Sequence, residues 1–192
     1  KTMENRAGRE TSFGRIGVFV DTDKKVAAMV ELLCESAPVA GNDEFRRLLD
    51  NLSRQLAVGP GAADGEALLD QKAPGGSGTL RQEKDDLANR VRELFNVGRI
   101  AKIDGVCANY VHHSGGAAAL LQYEGGNPDL ARDICMHVVA MRPKALKTED
   151  LDQNIVAKER EILTEAARGE GKPENILPKM VEGRLRNFFA EC

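Results

Sequence analysis

One pattern is written twice in this chain: strand, polar turn, strand, loop, amphipathic helix. In the first copy Gly14 to Val20 is a β-branched and aromatic run, and Asp21 to Lys25 is a turn cluster. Val26, Ala28, Val30, Leu32 and Cys34 then alternate as apolar residues, with Glu31 on the other face, which predicts a second strand and a hairpin. Asn42 is an N-cap for a helix whose stripe is Phe45, Leu48, Leu49, Leu52 and Leu56. In the second copy Gly105 to His112 and Ala117 to Tyr123 are the strands and His113 to Gly116 the turn. Asn127-Pro128-Asp129 opens a helix carrying Leu130, Ile134, Cys135, Val138 and Met141, which stops at Pro143. Leu48, Leu49 and Leu52 match Ile134, Cys135 and Val138 at one constant offset. A chain so patterned is expected to form two related α+β subdomains packed together.

Between the copies, Gly59 to Gly78 is rich in glycine and reads as a linker or surface loop around a short helical piece. Thr79 with Gln82 is a capping box for a helix carrying Leu80, Leu87, Val91, Leu94 and Phe95, and Val97 to Ile103 has strand character. After the second copy come two helical patterns, Thr148 to Arg168 and Pro173 to Phe189, parted by Gly169-Glu170-Gly171-Lys172. One stripe is Leu151, Ile155, Ile162, Leu163 and Ala166; the other is Ile176, Leu177, Met180, Val181, Leu185 and Phe188. Both are narrow, so the helices are expected to pair as an antiparallel hairpin, with Pro178 kinking or restarting the second. The expected fold is therefore α+β: two small antiparallel-sheet subdomains with flanking helices and a protruding helical hairpin. The expected divisions are 1–58, a loop or linker at 59–78, 79–146, and the hairpin with a return helix at 147–192.

Chemistry is harder to find. Aromatics are 4 % with no Trp, so the core must come from Leu, Ile, Val, Met and Ala. A net charge of −3 gives no general attraction to a phosphate backbone, so no direct nucleic-acid partner is expected. Cys34, Cys107, Cys135 and Cys192 lie far apart without a CxxC pair, which suits a reducing compartment without disulfides. No apolar run approaches the ~20 residues of a membrane span, so no membrane partner is expected either. Pro74 to Gly78 lacks the Gly-Lys-Ser/Thr of a phosphate loop. His112 and His113 are adjacent at a strand end and should point to opposite faces, and Cys135 with His137 is an i, i+2 pair that does not converge on a helix. No metal or cofactor site follows, and the expectation is a binding protein, not an enzyme. A small Cys/His metal-dependent enzyme stands as the rival. Ser36-Ala37-Pro38-Val39 places three apolar residues on an expected exposed loop, which is either a stiff connector or a contact tip held by a rigid scaffold.

Several motifs, in order along nearly the whole chain, resemble bacterial translation elongation factor Ts. They are Ala7-Gly8-Arg9, Cys34-Glu35-Ser36, Val39-Ala40, Asn42-Asp43-Glu44-Phe45, and Tyr110-Val111-His112 with Gly115-Gly116. They continue with Met136 to Pro143, Glu159-Arg160-Glu161-Ile162, Gly171-Lys172-Pro173 and Val181-Glu182-Gly183-Arg184. The resemblance implies a doubled core with a protruding coiled-coil hairpin, in a cytoplasmic guanine-nucleotide exchange factor that binds GDP-bound and nucleotide-free elongation factor Tu. It implies that Ser36, Ala37, Pro38 and Val39 form the loop that dislodges the partner's magnesium; His112 and His113 are candidates for further partner contacts. Where the family has Thr-Asp-Phe-Val, this sequence has Ser36-Ala37-Pro38-Val39, so the Asp and Phe said to act on the magnesium and phosphate site are replaced. That departure motivates a second expectation, a divergent elongation factor Tu-binding scaffold without exchange activity. On this resemblance the sequence is expected to lack the family's N-terminal helical module and to end soon after Arg184, before the family's usual C-terminal segment.

Overall fold

In the computed structural model, which describes residues 8–171 and 173–192, the alternation of the second strand sets the first sheet. Strand β1 (Phe13–Asp21) pairs antiparallel with β2 (Val26–Cys34), in register from Phe13 opposite Cys34 to Asp21 opposite Val26. Asp21 closes the turn by accepting the Lys24 amide at 2.9 Å. Val26, Ala28, Val30, Leu32 and Cys34 are all buried, as their period of two predicts. Chain leaving β2 makes a single helical turn, α1 (Ala37–Ala40), and then α2 (Asp43–Val58). Asn42 caps α2 by accepting the Glu44 amide at 2.7 Å, and Phe45, Leu48, Leu49, Leu52 and Leu56 lie buried against the sheet. The helix sits low on β1 because of Gly17: a Cβ there would come within 2.6 Å of both Leu49 Cγ and Ser53 Oγ.

The glycine-rich stretch 59–78 is more than a surface loop. It holds α3 (Gly65–Leu69), capped by Asp64, and it sends Leu68, Leu69 and Ala73 into the same core. Gln55 bonds Gln71 at 3.0 Å and Gln71 bonds the Gly61 carbonyl at 2.6 Å, which folds the stretch back on α2. Both halves of the predicted capping box are present at the start of α4 (Leu80–Val91). Leu80, Leu87, Ala88 and Phe95 join the first core, with the Phe45 and Phe95 rings edge to face at 5.2 Å. Strand β3 (Asn96–Asp104) pairs with the free edge of β2, giving the order β1-β2-β3. Within 79–146, then, α4 and β3 build the first core.

The second hairpin, β4 (Cys107–Val111) with β5 (Ala118–Gln122), forms its own two-stranded antiparallel sheet. It is tied to the first sheet by the Gly105 amide to Lys25 carbonyl bond at 2.6 Å and the Ile16 amide to Gly115 carbonyl bond at 2.8 Å. Helix α5 (Pro128–Met141) starts where Asn127 accepts the Asp129 amide at 2.8 Å. Only Ala131 and Cys135 are buried on it, while Leu130, Ile134 and Met141 are exposed. The two helices of the repeat therefore differ: α2 lies over three strands, whereas a two-stranded ribbon offers α5 only a strip to cover.

The chain divides into two compact units between Ala140 and Met141. In the second, a 3-10 turn (Thr148–Asp150) precedes α6 (Gln153–Gly169) and α7 (Leu177–Glu191). Pro178 falls in the first turn of α7, where its missing N–H costs nothing, so it begins that helix at Leu177. The expected helical residues Pro173 to Ile176 lie before it. Helices α6 and α7 pack on each other, with Arg160 paired to Glu182 and Arg168 to Glu174 at 3.2 Å. On α6 the buried residue is Ala167, with Val156 and Leu163 half-buried, while Ile155 and Ile162 are exposed. The stripe is turned by one position from the expected one at Val156 and Ala167 and shares Leu163 with it. Ala7 and Lys172, which enter motifs of the sequence reading, lie outside the described residues.

Leu49 is 3 % exposed and Ile134, one place from its repeat counterpart, is 44 % exposed. Leu49→Ala is expected to cost about 2–5 kcal/mol in a urea titration and Ile134→Ala less than about 1 kcal/mol. Equal losses would mean that Ile134 is packed as deeply as Leu49.

Candidate partner-binding site

The stretch Ser36 to Val39 is ordered from its own residues outward. Ser36 is extended, with φ −138° and ψ 150°, and Pro38 in the first turn supplies the φ that a helix needs. The Ala40 amide then bonds the Ser36 carbonyl at 3.2 Å, the Gly41 amide bonds the Ala37 carbonyl at 3.1 Å, and the Asn42 amide bonds the Val39 carbonyl at 3.0 Å. An exposed loop with three apolar residues is the sequence expectation. The structure instead makes a helical turn, with Ala40 buried and Val39 packed on the core, so only Ala37 and Pro38 face outward.

What holds this turn comes from far along the chain. The Glu93 carboxylate accepts the backbone amides of Glu35 and Ser36, each at 3.1 Å, and also the Ser36 hydroxyl. The Glu35 carboxylate in return accepts the Leu94 amide at 2.7 Å and pairs with Arg9 at 3.2 Å. Two segments thus cap each other, one leaving β2 and one entering β3, with Arg92 in the left-handed region (φ 62°) turning the chain out of α4. Beneath them the Cys34 thiol donates to the Ser36 carbonyl at 3.3 Å. Sequence reading missed this arrangement because Glu35 and Glu93 share no periodicity. The one available signal was an acidic residue directly before the singled-out loop.

His112 and His113 do not point to opposite faces. Their ring centroids are 4.0 Å apart. Strand β4 ends at Val111, so both residues lie in the turn, where strand alternation no longer applies. His112 Nδ1 lies 2.8 Å from Ser114 Oγ, His112 is half-buried and His113 is exposed. This turn docks on the free edge of β1 at Gly115, whose φ of 74° would strain any side chain and whose position lies against the Arg15 guanidinium. Both candidate regions are thus set by the first half of β1: Phe13 pairs with Cys34 just before α1, and Ile16 meets the His112–Gly116 turn. Between Phe13 and Gly116 runs an open cleft lined by Arg15, Ile16, Glu31 and Leu33.

For chemistry, burial pushes the thiols of Cys34, Cys107 and Cys135 up from the ordinary value, so all three stay protonated near neutral pH. Cys135 is buried and His137 exposed, so that pair does not converge. Among the described residues, no three His, Cys, Asp or Glu side chains gather to hold a metal ion, and no helix is long and apolar enough to cross a membrane. The two turns are each tied to β1, one through the Phe13–Cys34 pair and the other through the Ile16–Gly115 bond.

Comparison with known proteins finds one family. A family model described as elongation factor TS matches residues 35–192. Elongation factor Ts of Azoarcus sp. is 37 % identical over 187 residues, covering 96 % of this chain and 62 % of the relative. That of Hydrogenovibrio crunogenus is 33 % identical over 190 residues, covering 98 % of this chain and 64 % of the relative. That of Aquifex aeolicus is 34 % identical over 200 residues, covering 98 % and 69 %. The chain spans a little under two thirds of the length of the first two.

The thiols allow a direct check. Cys34 and Cys135 are each 0 % exposed, and their thiols are held protonated. Iodoacetamide at pH 7.5 is expected to leave both unmodified in the native protein by peptide mass spectrometry, and to modify all four cysteines in guanidinium. Rapid native labelling of Cys34 would contradict the packed end of β2.

Proposed function

This chain belongs to the elongation factor Ts family, and we propose that it is a translation elongation factor that promotes GDP release from the GTPase elongation factor Tu. The observation that carries the reading is the family match, at 33–37 % identity over nearly the whole chain, spanning the α1 turn and both units. In this reading the chain works by differential binding and is not itself an enzyme. An exchange factor stabilises the nucleotide-free partner more than the nucleotide-bound one. By linkage, nucleotide with magnesium must expel the factor as strongly as the factor expels nucleotide.

The parts then take roles. Ser36, Ala37, Pro38 and Val39 form the turn that disturbs the partner's magnesium and phosphate site, Ala37 and Pro38 at the contact and Val39 seating the turn on the core. His112 and His113, on the other turn along β1, are further contacts. Helices α6 and α7, as a projecting antiparallel hairpin, give a second grip. The partner places the factor in the cytoplasm.

A second reading has an observation of its own. Ala37 and Pro38 stand where the family pattern has Asp and Phe, and they offer neither a carboxylate nor an aromatic ring. A scaffold that binds elongation factor Tu without speeding release would fit that change.

Stopped-flow release of a fluorescent GDP analogue from elongation factor Tu separates the two. As an exchange factor the chain raises the release rate to a saturating value; as a scaffold it binds and leaves the rate unchanged. Ala37→Asp combined with Pro38→Phe is expected to raise the saturating rate by about tenfold and to change the half-saturating concentration by less than about threefold. An unchanged saturating rate, with the wild type active, would remove Ala37 and Pro38 from the role of perturber.

A further inference from the structure

We propose that Glu93 is the positioning residue of the α1 turn, holding it stiff against the load of the partner; this rests on the exchange reading above. The turn is four residues long, too short to hold its own shape by helix formation. Ser36 stands at its N-cap, where a serine ordinarily accepts an amide of the following turn, yet its side chain makes no cap bond. Its hydroxyl donates to Glu93 instead. A local cap has been exchanged for a bond to a residue 57 positions away.

That exchange has a mechanical consequence. Force on Ala37 and Pro38 passes through Ser36 to Glu93, and Glu93 stands between elements that cannot give. Leu87 and Ala88 bury the last turns of α4 on one side, and Phe95 is 1 % exposed on the other. The return bond from the Leu94 amide to Glu35 closes the loop, so neither segment can tilt alone. An ionised carboxylate suits the position because it accepts two N–H groups and one O–H at once. Glutamine fits nearly as well: its carbonyl takes the two amides, and its NH₂ donates to the Ser36 hydroxyl, which reverses. Alanine leaves all three donors without this acceptor.

The test uses the full chain with elongation factor Tu and the fluorescent GDP analogue, together with amide hydrogen exchange on the free chain. Glu93→Ala is expected to lower the saturating release rate about tenfold while the half-saturating concentration moves less than about threefold. Glu93→Gln should recover to within about threefold of wild type, and Ser36→Ala, which removes one of the three bonds, should fall between. In the free chain the Glu35 and Ser36 amides should lose protection in Glu93→Ala and keep it in Glu93→Gln. A residue that served stability alone would lower the unfolding midpoint and leave the saturating rate of the folded fraction unchanged, and that result overturns the proposal. Equal loss of rate in Glu93→Gln and Glu93→Ala overturns it too. Should the wild-type chain fail to speed release, the exchange reading falls, and amide exchange alone decides the clamp: protection unchanged in Glu93→Ala overturns it.

Discussion

One buried face of one strand organises the first unit. Val26, Ala28, Val30, Leu32 and Cys34 alternate along β2 and are all buried, the last four in one core with the α2 stripe, and β2 is the central strand between β1 and β3. Apolar burial at ~25 cal/mol per Å² is the main stabilising term in a fold of this size, and here it acts through a strand with neighbours on both edges. Because β2 is fixed along its whole length, its end at Cys34 is fixed too. That end is where α1 begins, so the core positions the proposed contact turn directly.

The second half of the repeat is built to a lighter plan. Its sheet is two strands wide, and on α5 only Ala131 and Cys135 are buried, with Leu130 and Ile134 exposed. It gains support by leaning on the first sheet, through the Gly105 to Lys25 and Ile16 to Gly115 bonds. That leaning also fixes the His112–Gly116 turn against β1. Each of the two turns is set at one end of a hairpin and each is tied to the same strand, so the first half of β1 is their common reference.

Features governed by neighbouring residues were legible in the sequence. The Asn42 cap, the Thr79–Gln82 box, the β2 alternation and the α2 stripe follow from contacts within a few residues, where residue type and spacing suffice. Features set by distant packing were not. The rotation of the α6 seam from Ala166 to Ala167 depends on where α7 lies. The burial of Leu68 and Leu69 within a glycine-rich stretch depends on Gln71 finding Gln55. At the candidate site, the location of the turn was readable from its apolar residues, but its inward Val39 and its dependence on Glu93 were not. The pairing of His112 with His113 was hidden because strand alternation was carried one residue past the end of β4.

In the proposed exchange reading, Ala37 and Pro38 are the tip that meets elongation factor Tu near its magnesium and phosphate site. Site-specific photocross-linking tests that contact most directly, with the benzophenone amino acid placed at Ala37 and, as a control, at the exposed Val58 of α2. The expected result is a cross-link from position 37 to nucleotide-free elongation factor Tu that fades when GDP and magnesium are added, with none from position 58. A cross-link from position 58 alone, or one from position 37 that nucleotide and magnesium leave unchanged, would contradict it.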